Sequence, residues 1–418
     1  MSEAALVPKL RFSEFSDEWE AGYLNEFIDS LDAGVSVNST DRQAESNEKC
    51  ILKTSCVSSG VFKLKENKVV LDDDEIQRLK EPLQSNTIII SRMNTPALVG
   101  ANAIVTYSMS NVFLPDRLWA AKINKNYSGK WLGILMSSTK FRAALSARAT
   151  GTSASMKNIT KGDVLSLKIT YPAKPEQQKI AAFLTAVDTK IEQLSNKKAL
   201  LGEYKKGLMQ QIFSQAIRFK ADDGSDFPDW EEKKLGDVCK LQGGYAFKSA
   251  EFQKHGIPII RISNISNNND FIDNRNLVYY NEIKNSDKFI IKNGDLIVAM
   301  SGATTGKSSI YNLIEDAYLN QRVGLFKANN SLLDYGFLIQ IVFSYIFATQ
   351  LDSVLVAGAQ PNVSSKDIEG FEISLPSKIE QNKIANFLSS IDSKIEQVGK
   401  QLDESKQFKK ALLQQMFV

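Results

Sequence analysis

Between residues 180 and 212 apolar side chains recur at steps of four and three, at Ile180, Leu184, Val187, Ile191, Leu194, Leu201, Leu208 and Ile212. That is coiled-coil spacing, in which one stripe of a long helix stays apolar while its other faces stay polar. A second stripe runs through Ile384, Leu388, Ile391, Ile395, Val398, Leu402, Leu412 and Met416. Polar residues interrupt both seams, Lys198 and Lys205 in the first, Ser405 and Lys409 in the second, and they are expected to fix helix register. Each pattern predicts a helix of about 36 residues, roughly 54 Å long at 1.5 Å per residue. Pro175 suits a first turn, Ser377 and Glu380 have capping-box spacing, and Glu176 and Glu380 fall near the positive end of the helix dipole. A lone amphipathic helix of this length would leave its seam in water. The two are therefore expected to pack on each other, with packing of each on a globular neighbour as the alternative.

The two helical segments are copies. Residues 171–214 match 375–418 without a gap, identical at 20 of 44 positions, including Lys179-Ile180-Ala181 against Lys383-Ile384-Ala385. A fainter echo precedes them: Arg11-Phe12 then Trp19-Glu20 recur as Arg218-Phe219 then Trp230-Glu231. A repeat of this period orders the chain as globular segment (1–170), helix (171–214), globular segment (215–374), helix (375–418). The globular segments predict an α+β class with mostly β signal. In the second, apolar runs at 256–262, 289–291, 295–300 and 323–326 are bounded by Asn, Gly and Ser turns and followed by a helix. In the first, the runs are 87–90 and 102–106, followed by a helix around 131–147. The globular parts have diverged while the helices stayed nearly fixed, as in a constant frame carrying two variable readers.

Composition narrows the chemistry. With 418 residues, 43% apolar and 24% charged, the chain has room for two to four ordinary domains. The single histidine, His255, removes most Ser/His, Cys/His and histidine-metal constellations. Cys50, Cys56 and Cys239 lack C-x-x-C spacing and read as reduced, structural thiols. Residues 1–5 lack the basic start of a secretory signal, which points to the cytoplasm, and the apolar stretch 335–351 contains Gln340 and Ser344, which fits a buried helix better than a membrane span. The net charge of +3 is no mark of a strongly basic DNA binder: the helical segments carry seven Lys each, against four and five acidic residues, and the rest nets slightly negative. Any nucleic-acid surface must come from local patches.

The loudest catalytic-looking motif, Gly302-Ala303-Thr304-Thr305-Gly306-Lys307-Ser308, resembles a phosphate loop but has three residues between its glycines where such a cradle needs four. The run Asp72-Asp73-Asp74-Glu75 fits a helix start or solvated turn better than a metal site. No dinucleotide loop or methyltransferase tetrad is present, so no catalytic residue, metal or bound cofactor is expected in this chain. Side chains able to bond base edges and phosphates gather instead in loops: Arg92, Asn94, Thr95 and Lys157 in the first globular segment, and Lys248, Arg261, Asn264, Ser301, Thr304, Thr305, Lys307, Gln321 and Arg322 in the second. Ordinary turn chemistry is the alternative at each.

Taken together, Pro376, Glu380-Gln381, Lys383-Ile384-Ala385, Phe387-Leu388 and Ile391-Asp392-Ser393-Lys394-Ile395-Glu396, their copies from Pro172 to Glu192, and Gly243-Gly244-Tyr245-Ala246-Phe247 with Met300-Ser301-Gly302-Ala303-Thr304-Thr305-Gly306-Lys307 resemble the specificity subunit of type I restriction-modification systems. In the first segment Ile90-Ser91-Arg92-Met93-Asn94-Thr95 and Val99-Gly100 look like a related form, without the Gly-Ala-Thr-Thr-Gly pattern. The resemblance implies two target-recognition domains, each reading one half of a split, asymmetric double-stranded DNA target. It implies helices that dock two modification (methyltransferase) subunits and set the spacing between half-sites, with restriction (translocase and endonuclease) subunits joining through the complex, and no membrane. Antiparallel rods of roughly 54 Å compare with about 34 to 36 Å per DNA turn, which would suit half-sites about a turn apart. Two other classes stand beside this reading: a nucleotide-dependent enzyme using the 302–307 loop, and a structural coiled-coil adaptor.

Overall fold

The computed structural model describes residues 7–151, 155–265, 270–284, 286–357 and 362–418. Residues 1–5, which bear on targeting, lie outside that set. The chain divides into two compact units, Met1–Gln193 with Gln401–Val418, and Leu194–Lys400.

In the first unit, one four-stranded antiparallel sheet runs in the order Ile28–Ala33, Leu118–Ile123, Thr87–Ser91, Asn102–Val105. A second runs Asn67–Val69, Cys50–Leu52, Met109–Phe113, Pro82–Leu83, with its middle pair parallel. Strand Thr87–Ser91 is buried along its whole length because alternate side chains enter different cores. Ile88 and Ile90 join Trp119 and Trp131, whereas Ile89 joins Cys50, Cys56 and Val112. The second unit repeats the plan, with sheets ordered Cys239–Gly243, Val323–Ala328, Leu296–Ala299, Ser308–Ile310 and Val278–Tyr280, Ile257–Ile260, Ala317–Leu319, Ile290–Ile291. Its strand Leu296–Ala299 alternates likewise: Leu296 and Val298 face Phe326 and Phe337, and Ile297 and Ala299 face Ile260, Tyr311 and Leu319.

The helix expected over 131–147 is two helices, Gly129–Ser137 and Thr139–Ala147, and the one expected over 335–351 is Tyr335–Val342 followed by Tyr345–Ala357. A serine makes each break. Ser138 accepts from the backbone N–H of Phe141, and Ser344 donates its hydroxyl to the Ile341 carbonyl at 2.6 Å, so a hydroxyl competes with the helical ladder and opens a new N-terminus. The second pair is bent by 55°, and among the described residues no single helix is long and apolar enough to cross a membrane.

The two long helices are Lys174–Phe213, with 40 residues, and Lys378–Gln415, with 38. Each contributes to both units, and within each unit they run antiparallel. In the second unit Lys205 Nζ meets Asp392 Oδ1 at 2.6 Å, while a Cβ on Gly399 would meet Lys198 Nζ, so numbers rise on one helix as they fall on the other. In the first unit Lys409 Nζ meets Asp188 Oδ1 at 2.5 Å. Both pairs are the same contact, because the repeat offset of 204 carries Asp188 to Asp392 and Lys205 to Lys409. Seam residues are buried around them: Ile180 and Leu184 share a core with Leu412 and Met416, and Ile384, Leu388 and Ile391 share one with Met209 and Ile212. Leu194, Val398 and Leu402 are also buried, while Val187, Ile191, Leu201, Leu208 and Ile395 are half-buried. These cores contain sheet and short-helix residues as well, so helix-on-helix and helix-on-domain packing operate together.

A buried ion pair ties each long helix to its globular neighbour. Arg11 donates to both carboxylate oxygens of Glu176 at 2.8 and 2.7 Å, and Trp19 Nε1 to the same group at 3.3 Å. Arg218 and Trp230 serve Glu380 identically, at 3.3, 2.9 and 3.1 Å. The faint echo in the sequence is thus a conserved lock. Gln177 and Gln381 follow, each donating to a proline carbonyl (Pro172, Pro376) and accepting from a backbone N–H (Ser128, Asp334). The expected capping box at Ser377 is half made. Glu380 N–H reaches Ser377 Oγ at 3.4 Å, but the Glu380 carboxylate is taken by Arg218 and Trp230.

Candidate nucleic-acid interface

In each unit the hairpin leaving the doubly buried strand is held by one backbone frame. In the first, Arg92 N–H donates to the Arg117 carbonyl at 3.0 Å and accepts at its own carbonyl from Ile159 N–H at 2.9 Å. In the second, Met300 N–H donates to the Arg322 carbonyl at 2.9 Å and its carbonyl accepts from Val363 N–H at 3.0 Å. Lys157 and Asn158 pair with Asn94 and Met93, and Asn362 bridges Ser301. Short helices capped by Thr160 with Asp163, and by Ser364 with Asp367, close both arrangements.

This frame brings Arg92, Asn94, Thr95 and Lys157 together. The Arg92 guanidinium lies 5.8 Å from the centre of the Trp119 ring. Its Nε, Trp119 Nε1 and Asn158 Oδ1 are buried without a hydrogen-bond partner. Leaving such groups unpaired costs about 1–3 kcal/mol each. Asn94 donates to Ser91 Oγ at 3.2 Å and accepts from Thr95 N–H at 2.8 Å, and Lys157 Nζ reaches the Gly151 carbonyl at 3.0 Å.

In the second unit Ser301, Gln321 and Arg322 line one cleft of about 840 Å³ with Asn362. Ser301 Oγ is buried and unpaired there. Lys307 is exposed at the base of the hairpin, where its carbonyl accepts from Ala299 N–H, whereas Thr304 and Thr305 donate their hydroxyls to the carbonyls of Ile262 and Gly302, at 3.0 and 2.6 Å, and shape the turn. Arg261, Asn264 and Lys248 do not line this cleft. Arg261 lies over the Phe252 ring and donates to the Asn276 carbonyl, with Nε left unpaired. Lys248 is exposed beside Glu251. Asn264 is wholly buried, accepting from Arg261 N–H and donating to the Asp273 carbonyl, and so holds its loop without presenting an amide to solvent.

Three residues of the frame escaped the sequence reading: Arg117, the counterpart of Arg322, and the pair Asn158 and Asn362. Carrying the 204 offset back past 171 would have found the asparagines, since Asn158 and Asp163 recur as Asn362 and Asp367.

The phosphate-loop reading fails on topology. Residues 300–307 join strand Leu296–Ala299 to strand Ser308–Ile310, and no helix N-terminus follows to supply converging N–H groups. Both glycines serve the turn: φ is +84° at Gly302 and +79° at Gly306, and a Cβ on Gly306 would fall 2.1 Å from Leu351. The acidic run begins a helix, with Asp72 accepting from the N–H groups of Asp74 and Glu75. Among the described residues no group of three His, Cys, Asp or Glu side chains is placed to hold a metal. The three cysteines are free and buried.

The sequence profile of the type I restriction modification DNA specificity domain matches residues 16–202 and again 228–404. The chain belongs to this family. Its two specificity domains coincide with the two repeats, and neither a nucleotide-dependent enzyme nor a purely structural adaptor is favoured by that membership. Over 95% of its length the chain is 24% identical to the MjaVIII type I restriction enzyme specificity subunit of Methanocaldococcus jannaschii, covering 91% of that protein. It is 22% identical to the putative MjaX specificity subunit of the same organism, with 97% and 94% covered. Its fold matches the crystal structure of a type I restriction-modification S subunit from M. genitalium with a TM-score of 0.64, at 17% identity and 99% coverage of both chains.

Proposed function

We propose that this chain is the DNA-reading subunit of a type I restriction-modification complex, each unit contacting one half of a bipartite, asymmetric target through its hairpin tip. The repeated frame carries this reading: identical backbone hydrogen bonds present Arg92, Asn94, Lys157 and Asn158 in one unit and Ser301, Arg322, Gln321 and Asn362 in the other. A constant scaffold with different donors and acceptors is what two half-sites of different sequence require. Arg117, Lys248, Arg261 and Lys307 are candidates for phosphate contacts around these tips, and Thr95 for either kind of contact. The long helices, identical at 20 of 44 positions between the repeats, dock two modification subunits and space the half-sites, and restriction subunits join through the complex. Chemistry on DNA belongs to those partners, and this chain binds no cofactor.

Genome methylation mapped with and without the gene should reveal one split motif that disappears on deletion. With that motif as probe, Arg92→Ala should relax preference in one half only and Arg322→Ala in the other, each by about 1–3 kcal/mol per lost base contact. Equal loss at both halves would rule out separate readers.

A further inference from the structure

A groove in the first unit has a volume of about 730 Å³ and is walled by Leu135, Phe141, Leu413 and Phe417, with strand Lys168–Tyr171 as its floor. That strand pairs on one side with Glu20–Tyr23. On its other side the outward-facing peptide of Lys168 has no hydrogen-bond partner among the described residues.

The second unit shows what this edge accepts. There Glu372 occupies the same ladder position, opposite Lys234 as Lys168 is opposite Tyr23. The side-chain amide of Gln350 covers it in the manner of a backbone: Nε2 donates to the Glu372 carbonyl at 2.9 Å and Oε1 accepts from Glu372 N–H at 2.7 Å. Gln350 stands on helix Tyr345–Ala357, six residues past the helix-breaking Ser344, with Phe347 and Leu351 buried beside it. In the first unit the equivalent series is Ser138, Phe141 and Leu145, again buried, and the residue in the glutamine's place is Ala144. Alanine cannot reach the strand, so the peptide edge and the apolar walls stay open. Lys168 and Lys410 stand around the opening, and Lys140 there donates to the Val418 carbonyl at 3.1 Å.

The geometry points to a peptide-docking groove present in the first unit alone, which takes an extended segment of a partner protein as an added strand. Backbone groups of the segment take the role that the Gln350 amide plays in the second unit, alternate apolar side chains enter between Phe141 and Phe417, and acidic residues flanking the segment meet Lys168 and Lys410. Because Gln350 closes the counterpart, the otherwise two-fold chain gains a one-sided interaction. This does not depend on which DNA sequence is read.

The test uses the full-length chain and a fluorescein-labelled nine-residue peptide of alternating valine and threonine with two glutamates at each end, followed by anisotropy. The expected result is saturable binding at one equivalent, weakened at least tenfold by Ala144→Gln and raised to two equivalents by Gln350→Ala, with DNA binding and thermal midpoint unchanged in Ala144→Gln. A peptide with N-methylated backbone, or one with lysines replacing the glutamates, should bind at least tenfold more weakly. Absence of saturable binding, or binding indifferent to Ala144→Gln or to N-methylation, would overturn the assignment. So would concentration-dependent self-association abolished by Ala144→Gln, which would make a second copy of this chain the occupant.

Discussion

Glu176 and Glu380 are almost fully buried carboxylates, each held by a guanidinium and an indole from residues more than a hundred positions away. Burying such a charge is tolerable only with its partners in place, and removing one partner strands the other. Glu380→Gln should therefore destabilise the second unit by about 3 kcal/mol in denaturant titrations, and Glu176→Gln the first by a similar amount. A loss below about 1 kcal/mol in both would show that the locks contribute little. The cysteines are residue-scale features of a different kind. Burial pushes the Cys56 and Cys239 thiols up to about 12 and Cys50 to about 11. A raised thiol keeps its proton in the folded state while the unfolded chain ionises in the ordinary range near 8.5, so their contribution to stability is whole below that pH and lost as pH climbs towards 12. Ellman's reagent at pH 8 should find no fast-reacting thiol in the native chain and three after denaturation. Rapid labelling of the native protein would contradict their burial.

At the scale of elements, the ion pairs Lys205–Asp392 and Lys409–Asp188 explain why the seams carry lysines where a coiled coil would otherwise place leucine. Lys205 is nearly buried and Asp392 also receives the Gln340 amide, whereas Asp188 is about half exposed. Solvent screening therefore weakens the second pair. Reversing Lys205→Asp or Asp392→Lys singly should lower stability, and combining them should restore it, with a coupling energy of about 1 kcal/mol. The same cycle at Asp188 and Lys409 should give less. Additive effects in the Lys205–Asp392 cycle would remove their role in register. Ser138 and Ser344 act at this scale too, since each turns one apolar stretch into two helices and so creates the wall on which Ala144 or Gln350 is presented.

For the whole molecule, the repeat makes modularity a measurable property. Replacing residues 7–170 with the aligned segment of another family member should change one half of the methylated motif and leave the other half intact, as read by sequencing methylated genomes. A change in both halves would mean that reading is not divided between units. Binding by the assembled complex should also fall steeply with salt, as the proposed lysine and arginine contacts to phosphate require.

The two seams, the repeat and several strand runs were legible from sequence because period and offset are local properties of the chain, and in the seams they specify which faces must be buried. Antiparallel packing followed from the need to hold two readers apart along one duplex, and Lys205 and Lys409 stood out as polar interruptions. What the chain order could not reveal is which distant groups meet. The Arg–Glu–Trp locks, the engagement of Asn264 inside its own loop, the convergence of Arg92 with Trp119 and Asn158, and the closure of one groove by Gln350 all depend on contacts between segments far apart in sequence. A polar side chain reads the same on paper whether its hydrogen bonds are made inside the protein or left open. Only folding, by bringing acceptors to some donors and none to others, decides which remain available to a partner.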